Sequence, residues 1–391
     1  MNLNGIVTWA EIDLDAITDN VRAFKRHVGP DVEVMAVVKA NAYGHGAVPV
    51  ARAALAAGAT RLAVHRLIEG VELRQAGISA PVLVMGYTPP DGAELVLRWR
   101  LTPSLMTLEF AQAVSARANA QGATVPVHVK VDTGMSRFGL MPGEVGDFLQ
   151  ALRVLPGLHI EGLFTHFATA DWADLTHTRR QLAIFREVIR MARSAGVEPP
   201  IIHAANSAAT MSLPEAHFNA VRPGIALYGL NPSNEWAPVF AIRPALTLKS
   251  RVSRVRQLPP GVGISYGRTY ITQRPTRAAL VPVGYGDGYH RLLSNKGSVL
   301  IHGQLAPIRG RVCMDQFVVD ISDHPAVQQD DEVVILGQQG EARISAEEVA
   351  ELAGTINYEV TTSLLPRVAR AYRKGGEIVE VLSLGEDAGP E

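Results

Sequence analysis

The sequence predicts an N-terminal (β/α)8 barrel of the TIM type followed by a mainly-β domain, and three observations predict it. Eight short apolar runs alternate with longer amphipathic ones between Val32 and Arg222. Beyond Asn231–Pro244, a stretch carrying Pro232, Pro238 and Pro244, the pattern switches to short alternating strands cut by proline and glycine. The length of 391 residues, at roughly 150 per domain, suits two domains better than one.

The first apolar run, Val32–Lys39 (VEVMAVVK), is rich in β-branched residues and ends in a polar loop, as a buried parallel strand does. Similar runs follow at Arg61–Val64, Pro81–Met85, Leu101–Met106, Val125–Val131, His159–Phe164, Pro200–His203 and Ala220–Arg222. Between them lie helix candidates such as VPVARAALAAG, LIEGVELRQAG and TRRQLAIFREVIRMARSAG, each closed by a glycine. Strand–helix alternation of this kind builds a barrel or an open doubly wound sheet. The open sheet is the weaker reading, because no GxGxxG follows the first strand. After the prolines come ALTLKSRVSRVRQL, RAALVPVGYGDGY, GSVLIHG, QFVVDIS and DEVVILG, which read as strands. One helix candidate interrupts them, SAEEVAELAG, opened by Ser345 with Glu348 three residues on, a capping box. The expected domains are therefore 1–240 and 241–391, with a frayed end at Glu386–Glu391.

Composition narrows the function classes. Hydrophobic residues make up 47% and charged residues 19%, enough apolar matter for large cores. Lys plus Arg (37) against Asp plus Glu (38) gives a net charge of −1, without the positive field that nucleic acid or an anionic membrane calls for. The single cysteine, Cys313, excludes an intramolecular disulfide and suits a reducing, cytoplasmic setting. The opening MNLNGIVTWAEIDLD carries acids where a secretory leader has a basic patch and an apolar run. No apolar stretch approaches the ~20 residues that span a bilayer. No metal is expected, since there is no HExxH and one cysteine anchors no thiolate site. Neither a GxSxG elbow nor a Walker loop is present.

In a barrel, chemistry sits where strands end at the carboxyl face. Those ends carry Lys39, Lys130 with Arg137, His166, Asn206 with Ser207, and Arg222 with Gly224. A lone strand-end lysine is ordinarily a solvated or snorkelling side chain. Lys39 stands apart because it follows five apolar residues, Val34–Val38, and precedes ANAYGHG, where Gly44 and Gly46 permit a tight turn. An amine packed in apolar surroundings sheds its proton, and a neutral amine can form a Schiff base. In VHVKVDTG, alternation puts Val127, Val129 and Val131 on one face and His128, Lys130 and Asp132 on the other. If that second face is the barrel interior, Lys130 needs a partner, and Asp132 is the simple one. Read bare, Ser207 and Gly224 are capping and turn residues, His166 is a satisfied core histidine, and Tyr266 packs a β-domain.

Taken together, AVVKANAYGHG, KVDTGMSRFG, EGLFTHFATAD, AANSAAT, RPGIALYG, ISYGRTY, VGYGDGYHR, GRVCMDQ and INYEV, in this order, resemble the alanine racemase family across essentially the whole chain. AVHRLIEG departs from the family's wording at His65, which reads as an exposed rim histidine. The resemblance implies a pyridoxal 5′-phosphate enzyme that interconverts L- and D-alanine for cell-wall peptidoglycan. It implies Lys39 as the cofactor-bearing lysine and base for the D face, and Tyr266 of the partner subunit as base for the L face of a head-to-tail homodimer. Ser207, Gly224 and Ile225, with Tyr43 and Tyr358, would hold the phosphate, and Asn206 would also bind the cofactor. Arg222 would face the pyridine nitrogen, donating to it without giving up its proton. His166 would pack by the ring and link Arg222 to the tyrosine, whose phenol is ordinarily protonated at neutral pH. Arg137 would reach the phenolic oxygen and the substrate carboxylate, joined there by the backbone N–H of Met314, with Asp315 supporting that loop. Lys130 would be carbamylated and orient Arg137. Asp171, Tyr285, Arg291 and Arg311 would line the entrance as a gate.

Two rivals are a barrel-type pyridoxal-phosphate decarboxylase, which Cys313 keeps open, and a cofactor carrier built on the barrel alone. ISYG and the Met314–Asp315 pair favour the racemase over the first, and the β-domain with Tyr266 argues against the second.

Overall fold

The computed structural model describes residues 3–384, so the frayed end expected at Glu386–Glu391 lies outside the described residues. The chain divides into two compact units, one of Ile17–Ala42 with Ala47–Arg243, the other of Met1–Ala16, Tyr43–Gly46 and Pro244–Glu391.

The first unit is the barrel. With β1 (Thr8–Asp13) belonging elsewhere, its strands are β2 (Glu33–Val37), β3 (Arg61–Val64), β4 (Val82–Val84), β5 (Thr102–Leu105), β6 (Val125–Lys130), β7 (Leu158–Phe164), β8 (Ile201–His203) and β9 (Ala220–Val221). They pair in sequence order, all parallel, and close through β2 and β9. All eight expected strands are present, each within a residue or two of its expected limits. Helices cover the outside because their apolar residues recur at helical spacing. The helix Thr176–Ser194 buries Leu182, Phe185, Val188, Ile189 and Ala192, and each large side chain so buried is worth about 1.5–3 kcal/mol. The helix Leu108–Ala120 starts at Thr107, whose hydroxyl accepts the Phe110 N–H.

The second unit is a large mixed sheet. Its strands are β1, β10 (Leu246–Arg251), β11 (Arg254–Leu258), β12 (Gly263–Ile264), β13 (Tyr270–Ile271), β14 (Thr276–Val281), β15 (Ser298–Ile301), β16 (Gln304–Arg309), β17 (Phe317–Asp320), β18 (Glu332–Gln339), β19 (Ala342–Ile344), β20 (Ala369–Lys374) and β21 (Glu377–Leu382). The main path runs β11-β14-β17-β16-β15-β18-β10-β1-β20-β21, and β12 with β13 makes a separate hairpin. The helix Ala346–Ala353 has the capping box read from the sequence, the Ser345 hydroxyl accepting the Glu348 N–H at 3.1 Å and the Glu348 carboxylate accepting the Ser345 N–H.

This division is more interleaved than a single cut at residue 240. The long break falls at Arg243/Pro244, close to expectation, but β1 lies inside the sheet unit. It pairs antiparallel with β10 (Trp9 opposite Lys249) and parallel with β20 (Trp9 opposite Ala369). Trp9 packs there with Ala369 and Ala371. Pairing partners hundreds of residues away leave no trace in local pattern. The short loop Tyr43–Gly46 joins the same unit through close backbone approach. A Cβ on Gly46, at φ +98°, would lie 1.7 Å from the Tyr372 hydroxyl, and one on Gly44 would lie 2.0 Å from the Thr361 carbonyl oxygen. Among the described residues, no helix is long and apolar enough to cross a membrane.

Candidate active site

Lys39 follows β2 directly, and the chain then does something unusual. Ala40, Asn41, Ala42 and Tyr43 all have φ between 51° and 53°, one turn of left-handed helix without a glycine in it. Such backbone costs about 1–2 kcal/mol per residue and persists only where bonds over-determine it. Here Ala42 N–H donates to Val38 C=O, Ala47 N–H to the Asn41 side chain, and Ala40 N–H to Glu69 Oε1. The Lys39 amine holds its proton less tightly than a free lysine, first because it is buried and then because Arg137 and Arg222 repel the added charge. That matches the behaviour expected of a lysine in apolar surroundings.

Arg222, just past β9, is 2% exposed. Its Nη1 lies 2.6 Å from His203 Nδ1, and Nη2 donates to Thr165 C=O and Ala204 C=O and lies 3.3 Å from His166 Nδ1. Burial weakens its grip on the proton, to about 9, which still leaves it charged at neutral pH. Because a guanidinium only donates, one chain of tautomers is dictated. His203 accepts at Nδ1, so its Nε2–H donates to His128 Nδ1 (2.8 Å), and His128 Nε2–H donates to Glu161 (3.1 Å). Burial keeps both imidazoles neutral, His203 well below the ordinary range. Glu161 is held down to about 2 by the His128 hydrogen bond and the Arg61 charge, against its own burial. Arg61 in turn pairs with Glu33. A polar line therefore runs inside the barrel from Arg222 to Glu33. None of its distal members was singled out from the sequence, although His128 was placed on the interior face. His166 is half-buried, and burial with the Arg222 charge keeps it neutral.

The expected Lys130–Asp132 pair does not form. The Asp132 carboxylate is occupied by the loop after β6: Oδ1 accepts N–H from Gly134, Met135 and Ser136, and Oδ2 accepts from Arg137. Burial opposes its charge, but four donors outweigh that and hold the carboxyl low. Lys130 lies instead over two phenylalanine rings, Phe138 at 5.4 Å and Phe164 at 5.6 Å. Burial, with Arg222 and Arg137, pulls its pKa down to about 8. Arg137 is exposed, and its backbone is fixed by Asp132.

Ser207, Gly224 and Ile225 come together as expected: the buried Ser207 hydroxyl accepts N–H from Gly224 (2.8 Å) and Ala226 (3.3 Å). Asn206 caps the helix Ser207–Ser212 through its side chain, accepting the Ala209 N–H. His65 is half-buried rather than an exposed rim residue. Its ring lies 6.3 Å from Phe138, and burial together with Lys39 disfavours its protonation. Asp171, also in the barrel unit, uses its carbonyl to accept from the Ser233 hydroxyl and the Trp236 indole.

In the sheet unit, Tyr266 begins the turn between β12 and β13 and is 73% exposed. Met314 (53%), Tyr285 and Arg291 are also exposed, and Arg311 is half-buried. Tyr43 and Tyr358 face each other with ring centroids 6.2 Å apart. Arg367, unremarked in the sequence, ties the loops together. It bonds the Asp287 carboxylate (2.7 Å), the Asp315 carboxylate (2.8 Å) and Met314 C=O (3.3 Å), so Asp315 does support its loop. Cys313 is half-buried, its Sγ 3.2 Å from the Ser265 hydroxyl.

Comparison with known proteins agrees over the whole chain. Residues 12–232 match the alanine racemase N-terminal domain and residues 245–372 the alanine racemase C-terminal domain. Alanine racemase of Carboxydothermus hydrogenoformans is 49% identical, covering 93% of this chain and 99% of that protein. That of Halothermothrix orenii is 45% identical over 94% of this chain and 97% of its own length. Among solved structures, the Bacillus anthracis alanine racemase with bound L-Ala-P superposes with a TM-score of 0.92 at 43% identity, covering 96% of this chain and 97% of that one. The Clostridium difficile 630 enzyme gives 0.93 at 40%, covering 97% and 99%. With closed barrel, C-terminal sheet and strand-end lysine all in place, the chain belongs to the alanine racemase family.

Proposed function

We propose that this protein interconverts L- and D-alanine in the cytoplasm, as a pyridoxal 5′-phosphate enzyme supplying D-alanine for peptidoglycan. The observation that carries the reading is electrostatic. Lys39 and Lys130 lie near enough to Arg137 and Arg222 that the two guanidinium charges help loosen both lysines' hold on their protons, a cationic setting that draws in anions such as a phosphate and a carboxylate.

The residues fit the cofactor. Gly224 and Ala226 N–H donate to the Ser207 hydroxyl and fix it, and that hydroxyl keeps its own O–H as a donor suited to phosphate; the family resemblance adds Asn206, Ile225, Tyr43 and Tyr358 to the cofactor's ligands. Arg222 spends its two Nη atoms on His203, Thr165 and Ala204, and its guanidinium Nε–H is a further donor of the kind a ring nitrogen accepts. Lys39 has an amine poised to lose its proton and so to attach to an aldehyde. Bound pyridoxal phosphate supplies an electron sink for the pair left at the substrate Cα.

Lys39, as its neutral amine, takes and returns the α-proton on the D face. Tyr266 of the partner subunit does the same on the L face, which makes the working form a homodimer. Arg222 donates a hydrogen bond to the ring nitrogen without surrendering its proton and so limits side chemistry. His166 bridges from Arg222 toward that tyrosine. Arg137 and the Met314 N–H hold the substrate carboxylate. Lys130, with a pKa near 8, keeps enough neutral amine at neutral pH to add carbon dioxide, forming an N–C bond and releasing one proton. The resulting anion would sit between arginines and orient Arg137. Asp171, Tyr285, Arg291 and Arg311 gate entry.

The test is chiral analysis of alanine after the full-length protein meets L-alanine and pyridoxal phosphate, with borohydride reduction and peptide mapping. D-alanine should form, and the reduced adduct should map to Lys39. Absence of D-alanine, or an adduct on another lysine, overturns the reading.

A further inference from the structure

Glu69 lies in the first turn of the helix Leu67–Gln75, where a glutamate ordinarily serves its own helix by accepting the N-cap amide. This one serves two strand ends. Oε2 accepts N–H from Arg66 (2.7 Å) and from His65 (2.7 Å), while Oε1 accepts the Ala40 N–H at 2.6 Å. One carboxylate thus ties the residues just past β3 to the residue just past Lys39.

Two independent observations give that tie meaning. First, Ala40 opens the left-handed turn, whose four non-glycine residues need external restraint to persist. The bonds from Ala42 N–H to Val38 C=O and from Ala47 N–H to the Asn41 side chain are restraints local to the loop. Glu69 brings the restraint from the neighbouring barrel element. Second, among the charges that act on the Lys39 amine, Arg137 and Arg222 push its proton off, and Glu69 is the anion that opposes them.

We infer that Glu69 is the positioning residue for Lys39: its carboxylate staples the strained turn that fixes where the amine sits, and its charge offsets the arginines around that amine. The inference rests on Lys39 being the cofactor-bearing lysine. Glu69 works through the Ala40 amide and through space, and takes no part in proton transfer.

Two readouts test it in the full-length protein: hydrogen exchange at the Ala40 amide, and the pH dependence of the rate of pyridoxal 5′-phosphate uptake, which follows the neutral fraction of Lys39. In Glu69→Ala, exchange at Ala40 should quicken about tenfold, the measure of one lost hydrogen bond. The midpoint of the uptake profile should move to lower pH, since removing an anion makes the neighbouring cation easier to deprotonate. In Glu69→Gln the charge is gone and one oxygen cannot serve both edges, so the midpoint should move equally while exchange quickens less. Thr107→Ala, which removes an unrelated helix cap, should move neither. If Glu69 only caps its helix, exchange will quicken within Leu67–Gln75 while Ala40 and the midpoint stay put, and the inference is overturned. Borohydride mapping of the parent to a lysine other than Lys39 would sink the underlying functional reading, while Ala40 exchange would still judge the staple.

Discussion

Arg222 and Lys130 in the barrel stand in the opposite state to Tyr266, Met314 and Tyr285 in the sheet unit. In the barrel, Arg222 is buried, Lys130 is enclosed by aromatic rings, and the interior line from Arg222 to Glu33 is hydrogen-bonded at every step. In the sheet unit, Tyr266, Met314 and Tyr285 all stand exposed, and Arg367 braces the loop that carries Met314. Burial shifts protonation, so the barrel groups are tuned by their own unit. The difference is one of environment: enclosed, charge-coupled groups in the barrel, and side chains open to solvent in the sheet unit.

The sharpest way to break that contrast is to remove one proposed base from each unit. Lys39→Ala should abolish racemisation and borohydride labelling together, because cofactor attachment and a base go at once. Tyr266→Ala should retain the cofactor and lose about 10²–10⁴-fold in rate, measured by steady-state assay beside absorbance. Mixing the two variants under proven subunit exchange should restore activity through heterodimers with one intact site. A mixture that stays inactive would mean that each site is built within one chain.

A second experiment asks whether the remaining base keeps its face. In heavy water, Tyr266→Ala should exchange the α-proton of D-alanine faster than that of L-alanine, followed by proton NMR. Equal rates would remove the assignment of Lys39 to the D face.

Smaller effects separate the units by stability. Gly46→Ala places a methyl against the Tyr372 hydroxyl at a φ that L-residues rarely adopt. Overpacking of this kind costs about 1–3 kcal/mol, so urea unfolding should show a lower midpoint. In the barrel, Glu161 has its folded pKa depressed to about 2. A depressed carboxyl contributes stability above its unfolded pKa and loses it as pH falls through the folded value. The urea midpoint of the parent should therefore exceed that of Glu161→Gln at pH 7, and the gap should close between about pH 4.5 and pH 2. A gap that stays constant down to pH 2 would mean that Glu161 is not ionised in the fold.

Much of this was legible in one dimension. Most of the barrel strands announce themselves as short apolar runs, as strands buried on both faces do, although Val125–Val131 alternates valines with His128 and Lys130. Lys39 stands out as the polar end of the first, and the Ser345–Glu348 box is visible as spacing. Other features were not. Asp132 was the obvious partner for Lys130 two residues away, yet its oxygens go to four backbone amides in the following loop. Orphan amides in a tight loop compete for a carboxylate, and that competition depends on loop path rather than residue type.

By itself, then, the sequence determined the fold class and the identity of the residues at strand ends, both of which follow from periodicity and local propensity. Only the tertiary structure decided that β1 completes the distant sheet, that Glu69 reaches Ala40, and that His203, His128 and Glu161 back Arg222 in a line. Those are pairings across tens to hundreds of residues. Their partners are set by where closed strands bring side chains together, and nothing in the spacing of neighbouring residues encodes that distance.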